Sequence, residues 1–256
     1  MVLTLGSVFY EIKNSYKPLV AIMVVVAVFQ ISITLNPEFF ESNFIPHMLI
    51  IVLPLGVSVY SFVVSKLYGG SKIFGRSYFA LGVAYFAVFL TETFYVYFFD
   101  ILNQDVPIIA DYFLFSFYPL VLIHLAINIR YFSQKLSVLQ KSTFGIVPGI
   151  LTILYALLVF GNSASDFSYF YYSLIFVIFS SLQIGFVLVG FSLFRQTVLF
   201  STWLLLLVGI FIGTIGDMVY HYGEIFDDGW IENVTAIWVA SNLTMIYALY
   251  KHQKSI

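Results

Sequence analysis

Apolar runs long enough to cross a bilayer recur along the chain, each closed by a short polar stretch. They cover residues 18–36, 46–68, 76–100, 106–131, 143–161, 168–194, 199–226 and 230–250. None shows the period-two alternation of a membrane strand. Hydrocarbon admits only helices or closed barrels, so all eight are expected to be transmembrane helices. Residues 1–17 have an apolar start with the charges after it, the reverse of a signal peptide, and read as a short interfacial segment.

The polar positions between the runs test this count. Lys13 and Lys17 precede span one; Lys66, Lys72 and Arg76 lie between spans two and three. Arg130, Lys135 and Lys141 follow span four, Arg195 follows span six, and Lys251 and Lys254 follow span eight. The opposite connections hold Glu38, Glu41, Asp100, Asp105, Asp166, Asp227, Asp228 and Glu232 and no base. One span more or fewer would scramble this segregation, so the positive-inside rule gives eight spans with both termini cytoplasmic, in the cell membrane.

A second pattern runs at a spacing of 125 residues. Glu92, Tyr95 and Tyr97 are matched by Asp217, Tyr220 and Tyr222 as acid-x-x-Tyr-x-Tyr. The same shift carries Pro18 onto Thr143 and Arg76 onto Ser201, at the starts of corresponding spans. The expectation is an all-α integral membrane protein of one domain: an interfacial segment 1–17, parallel four-helix repeats at 18–132 and 143–250, and a cytoplasmic tail 251–256. Each repeat has an even number of spans, so both insert the same way, related by an axis along the membrane normal.

Composition agrees. Of 256 residues, 61% are hydrophobic and 9% charged, against roughly 25% charged in soluble domains. A net charge of −2 provides no basic face for nucleic acid. The absence of cysteine excludes disulfides, iron–sulfur ligation and thiol catalysis.

The acids inside the spans carry the candidate chemistry. A carboxyl there costs about 2.5–3.5 kcal/mol on insertion scales, a cost normally offset by a partner, a cavity or a function. Glu92 lies ~12 Å, Asp217 ~15 Å and Asp111 ~9 Å in from the outer edge, from their spacing to Asp100, Asp227 and Asp105. No Lys or Arg lies at that depth to pair with them. Tyr95 and Tyr220, three residues on, share a face with their acids and are placed to donate to them. Either these carboxyls are polar contacts between helices, or Glu92, Tyr95, Asp111, Asp217, Tyr220 and His221 form a site for a ligand, proton or metal. Asp217, His221 and Glu224 fall on one stripe of span seven, a spacing that can seat a metal with Glu92 or His47. A metalloenzyme motif is absent.

Other features read as structural. His124 and Asn128, one turn apart near the inner face, suit interhelical packing, and their depth argues against haem ligation jointly with His221. Pro119 is expected to kink span four. Gly209, Gly213 and Gly216 provide small-residue spacing for a close helix neighbour. All eight lysines lie at span ends or in loops, which excludes a retinal Schiff base. The sequons at Asn233 and Asn242 fall at the interface and inside span eight, out of reach of modification.

The stretch Ile109–Leu120, with Ala110–Asp111 and Tyr118–Pro119, follows the helix that runs from Glu92 to Asp100 and the turn Asp105–Pro107. Further on come Gly216, Asp217, Tyr220, Glu224 and Trp238. In that order they resemble the polytopic membrane sensor regions found ahead of diguanylate cyclase or histidine kinase domains in prokaryotic signalling proteins. Only Lys251–Ile256 follows span eight, so the resemblance implies a sensor region without its own output domain, acting through a signalling partner or further membrane subunits. The expected function is a non-enzymatic sensor-like or ligand-binding module in contact with membrane lipid, with no cofactor. The alternatives are an intramembrane metal-dependent lipid hydrolase using Asp217, His221 and Glu92 or His47, and a small proton-coupled transporter.

Overall fold

Backbone amides and carbonyls have no water to bond inside a bilayer, and each apolar run satisfies them within itself as a helix. The computed structural model describes residues 5–36, 44–69, 71, 73–133, 135–162, 167–194, 200–226 and 231–255. Its elements are α1 (Leu5–Leu35), α2 (Phe44–Leu67), α3 (Phe74–Tyr95) with a π-helical continuation (Val96–Ile101), and α4 (Ile109–Phe132). After them come α5 (Val138–Asn162), α6 (Phe167–Phe194), α7 (Phe200–Phe226) and α8 (Ile231–Ser255). No strand occurs among the described residues.

The segments of α1 to α7 are long and apolar enough to cross a membrane. The protein is therefore a multi-pass helical membrane bundle. Helix α8 is less apolar for a visible reason: Thr235, Ser241, Asn242 and Thr244 are all buried in protein. The helix packs chiefly on α7, α2 and α1.

Three boundaries differ from the sequence expectation. Helix α1 is continuous from Leu5 through Pro18 to Leu35, across the expected boundary between the interfacial segment and the first span. Helix α5 starts at Val138, ahead of 143, because Ser137 and Gln140 form a capping box. The Gln140 amide donates to Ser137 Oγ (3.2 Å) and the Ser137 amide to Gln140 Oε1 (2.9 Å). Helix α8 runs to Ser255, which makes the expected tail 251–256 mostly helical. Several charges used to count spans, Glu38, Glu41, Lys72, Asp166, Arg195, Asp227 and Asp228, lie outside the described residues. So do the side chains of Lys13, Asp100, Glu224, Glu232 and Asn233.

Six helices close into a ring in the order α2, α3, α4, α6, α7, α8 and back to α2. Helix α1 lies outside against α8, and α5 outside against α6 and α7. Neighbours in sequence pack antiparallel: Ser58 meets Gly82, Ser77 meets His124, and Gly209 meets Met245. The two joints between halves are parallel. In α2/α8, Gly56 meets Ile246 and Tyr60 meets Tyr250; in α4/α6, Phe115 stacks on Phe176 and Tyr118 on Phe179.

Serine-to-glycine contacts tie the ring. Ser58 Oγ donates to the Gly82 carbonyl (2.8 Å), Ser65 to that of Gly75 (2.7 Å), and Ser241 to that of Gly209 (2.8 Å). A glycine leaves its carbonyl open to the neighbouring helix, where a hydroxyl has no water to prefer. At the end of the ring where α3 and α7 begin, Trp203 is 2% exposed and packs among Phe74, Tyr78, Phe132, Phe194 and His252.

Candidate functional site

The ring encloses a cavity of about 630 Å³ in the half of the bundle where α3 and α7 end, and all six ring helices line it. Spacing along the helices decides which side chains reach it. Helix α3 turns Glu92 and Tyr95 inward as neighbours on one face, and α7 does the same with Asp217, Tyr220 and His221. Helix α4 adds Tyr118, α6 adds Tyr172, Phe176 and Gln183, and α8 adds Trp238, Ser241 and Asn242. His47 of α2 stands at the rim.

Asp217 is anchored twice. Tyr118 donates to its Oδ2 (3.2 Å) and Trp238 Nε1 to its Oδ1 (3.0 Å), so one carboxyl on α7 joins α4 and α8. Gly216 makes this possible: a Cβ there would stand 2.8 Å from Trp238 Nε1. His221, one turn on, is buried and stacks on Phe176 with ring centroids 5.2 Å apart. Glu92 lines the same cavity and feels the charge of Asp217, but no hydrogen bond to its carboxyl is found among the described residues.

Of the residues singled out from sequence, Glu92, Tyr95, Asp217, Tyr220, His221 and His47 all line this one cavity. Asp111 is not in its lining. It accepts from Tyr172 (3.0 Å) and Tyr95 (3.4 Å), a knot between α3, α4 and α6 beside the cavity. Tyr95 reaches across the helix joint to Asp111, and Tyr118 and Trp238 donate to Asp217. Glu224, the last member of the α7 stripe, has its side chain outside the described residues. Among those residues no group of three or more His, Asp or Glu side chains is arranged to hold a metal.

Gln183 and Tyr172 are not singled out by the sequence pattern, and Tyr118 enters there only through the resemblance. Gln183 is 1% exposed, accepts from the Thr214 hydroxyl at Oε1 (3.0 Å) and leaves Nε2 without an acceptor among the described residues. A lone amide in the apolar run of α6 was the available signal.

A second polar cluster sits toward the other end. Asn128 Nδ2 donates to Ser77 Oγ (2.6 Å) and to the His124 carbonyl (2.8 Å), while His124 Nδ1 lies 3.0 Å from the Ser77 carbonyl. His124 and Asn128 thus clamp α4 to α3, as packing residues. His252, unremarked in the sequence, joins them there. It is 1% exposed, and its Nε2 is hydrogen-bonded to the Tyr68 hydroxyl (2.7 Å), with that of Tyr78 at 3.4 Å. Burial, aided by nearby His124, holds its pKa down at about 4. The unfolded chain takes up a proton near pH 6.5, which folded His252 resists until about pH 4. Its contribution is therefore complete above pH 6.5 and is lost as pH falls toward 4. Thermal unfolding in detergent is expected to show that loss, about 1–3 kcal/mol, and His252→Phe to flatten it. An identical acid slope in His252→Phe would refute the assignment.

Comparison with known proteins finds no match to this chain: no protein-family model, no curated protein and no solved structure is significantly similar to it.

Proposed function

We propose that this chain is a non-enzymatic, sensor-like or ligand-binding module of the cell membrane, which signals through a partner protein or further membrane subunits. It crosses the bilayer eight times, with both termini cytoplasmic and the cavity in the outer half. The eighth span is α8 up to residue 250: residues 231–250 are about 30 Å long, enough for the hydrocarbon core, and Thr235, Ser241, Asn242 and Thr244 are buried in protein. The two halves descend from one duplicated unit. In support, the ring's contacts are unchanged when α2, α3 and α4 are exchanged with α6, α7 and α8. The 125-residue shift carries the Gly56–Ile246 contact onto positions 181 and 121, one turn from the Phe179–Tyr118 contact.

The observation that carries the functional reading is that Glu92 and Asp217, one from each half, share a cavity, while Asp217 is bonded to both α4 and α8. Whatever neutralises or occupies those carboxyls changes the attraction that holds α4 and α8 to α7. Protonation, an ion or a ligand there biases the packing of α3, α4, α7 and α8, a local charge event with a distant readout. Hydrogen exchange of the purified protein tests it. Protection of α4 and α8 is expected to change with pH in the wild type and to lose that dependence in Asp217→Asn and in Glu92→Gln. Equal pH dependence in all three would end the proposal.

A further inference from the structure

We infer that the cavity takes a small organic cation, an ammonium group with an apolar body and a hydrogen-bond acceptor. The inference rests on the ligand-binding reading above and adds the chemical class. Its walls contain the acids Glu92 and Asp217, the imidazoles His47 and His221, and no lysine or arginine, so the two carboxyls favour a cation over a phosphate or carboxylate. Around the acids stand Tyr85, Phe117, Tyr118, Phe176, Tyr220 and Trp238, whose ring faces favour an ammonium group and an apolar body alike. A volume of about 630 Å³ suits a drug-sized molecule and far exceeds one ion.

Two groups await a partner. Glu92 carries no hydrogen bond from the described residues, in a wall where Asp217 has two. Gln183 is buried, and Thr214 fixes its amide through Oε1, leaving the Nε2 donor unmatched. Thr214 is three residues before Asp217 on α7, so the Gln183 amide is held at a position one turn from the acid along that helix. An amine bearing a hydroxyl or ether oxygen answers both: its cation sits between Glu92 and Asp217 and its oxygen accepts from Gln183. The ammonium group could belong to a free amine or to a lipid headgroup, and the probes separate these sources.

Purified protein in detergent is titrated with phenethylamine, its β-hydroxy analogue phenylethanolamine, neutral phenethyl alcohol, anionic phenylacetate and short-chain phosphatidylcholine. Trp fluorescence and Tm are the readouts, since Trp238 forms part of the wall. The expected result is saturable binding of the amines, at least about tenfold tighter than of the alcohol or the acid. Glu92→Gln, which breaks no hydrogen bond among the described residues, weakens amine binding about tenfold and leaves the alcohol unchanged. Gln183→Leu removes the preference for phenylethanolamine over phenethylamine. Phosphatidylcholine binding with the same Glu92 dependence supports the cation site and assigns a lipid source; amine binding without it assigns a free amine.

Equal binding of amine and alcohol, or no saturable amine or phosphatidylcholine binding up to about 10 mM, overturns the inference. If in that case the pH-dependent protection of α4 and α8 persists and still requires Asp217, only the ligand class has failed. If the protection is also indifferent to Asp217, the site reading falls with it.

Discussion

Gly209→Leu is expected to destabilise the folded protein by about 2–3 kcal/mol through overpacking, and more if the helices cannot separate cleanly. A Cβ at 209 would stand 2.6 Å from Met245 Cγ, 3.0 Å from its Sδ and 3.2 Å from its backbone nitrogen. A methionine side chain can swing away; its backbone cannot, so α7 and α8 must part. The separation also breaks the bond from Ser241 Oγ to the Gly209 carbonyl. Gly213→Ala attacks the same bond from the other side, since its Cβ would lie 2.7 Å from Ser241 Oγ. The control is Gly149→Leu on α5, where a Cβ meets nothing within 4 Å. Thermal unfolding of the three variants in one detergent is the measurement. A Gly149 variant as unstable as the Gly209 variant would show that helix propensity or detergent, and not the α7/α8 contact, sets the effect.

Asp217→Ala is expected to cost a similar amount for a different reason. It leaves the Tyr118 hydroxyl and the Trp238 indole N–H without their acceptor in the cavity wall, at about 1–3 kcal/mol for each group left unsatisfied. Asp217→Asn keeps one oxygen as an acceptor and is expected to lose less. The diagnostic is a double-mutant cycle. Tyr118→Phe destabilises the wild type, but in the Asp217→Ala background it removes an orphaned hydroxyl and restores part of the stability, a coupling of about 0.5–3 kcal/mol. Strict additivity would mean that the 3.2 Å contact contributes nothing to stability.

These two predictions come from residues of unequal legibility. Gly209, Gly213 and Gly216 are readable in the sequence as small-residue spacing, and they do admit Met245, Ser241 and Trp238. Asp217 is readable as an acid too costly to bury idle. Its partners are not, because Tyr118 and Trp238 lie 99 and 21 residues away and nothing local couples them. Gln183 was visible as a lone amide among apolar residues and was overlooked; His252 follows basic Lys251 and is disguised as tail. The Ser137–Gln140 capping box was also present in the sequence and sets where α5 starts.

The helices and their approximate ends follow from the sequence alone, because a bilayer leaves an apolar run no alternative way to bond its backbone. So does the presence of Glu92 and Asp217 at comparable depth, since depth along a helix is residue count times rise. Which helix stands beside which is another matter. That α2 lies against α8 and α4 against α6, leaving α1 and α5 outside the ring, depends on how side chains of distant segments interlock. Apolar surfaces are nearly interchangeable in lipid, so only close packing and scarce interhelical hydrogen bonds choose between arrangements. Those contacts, and the cavity they enclose, exist only once the chain has folded.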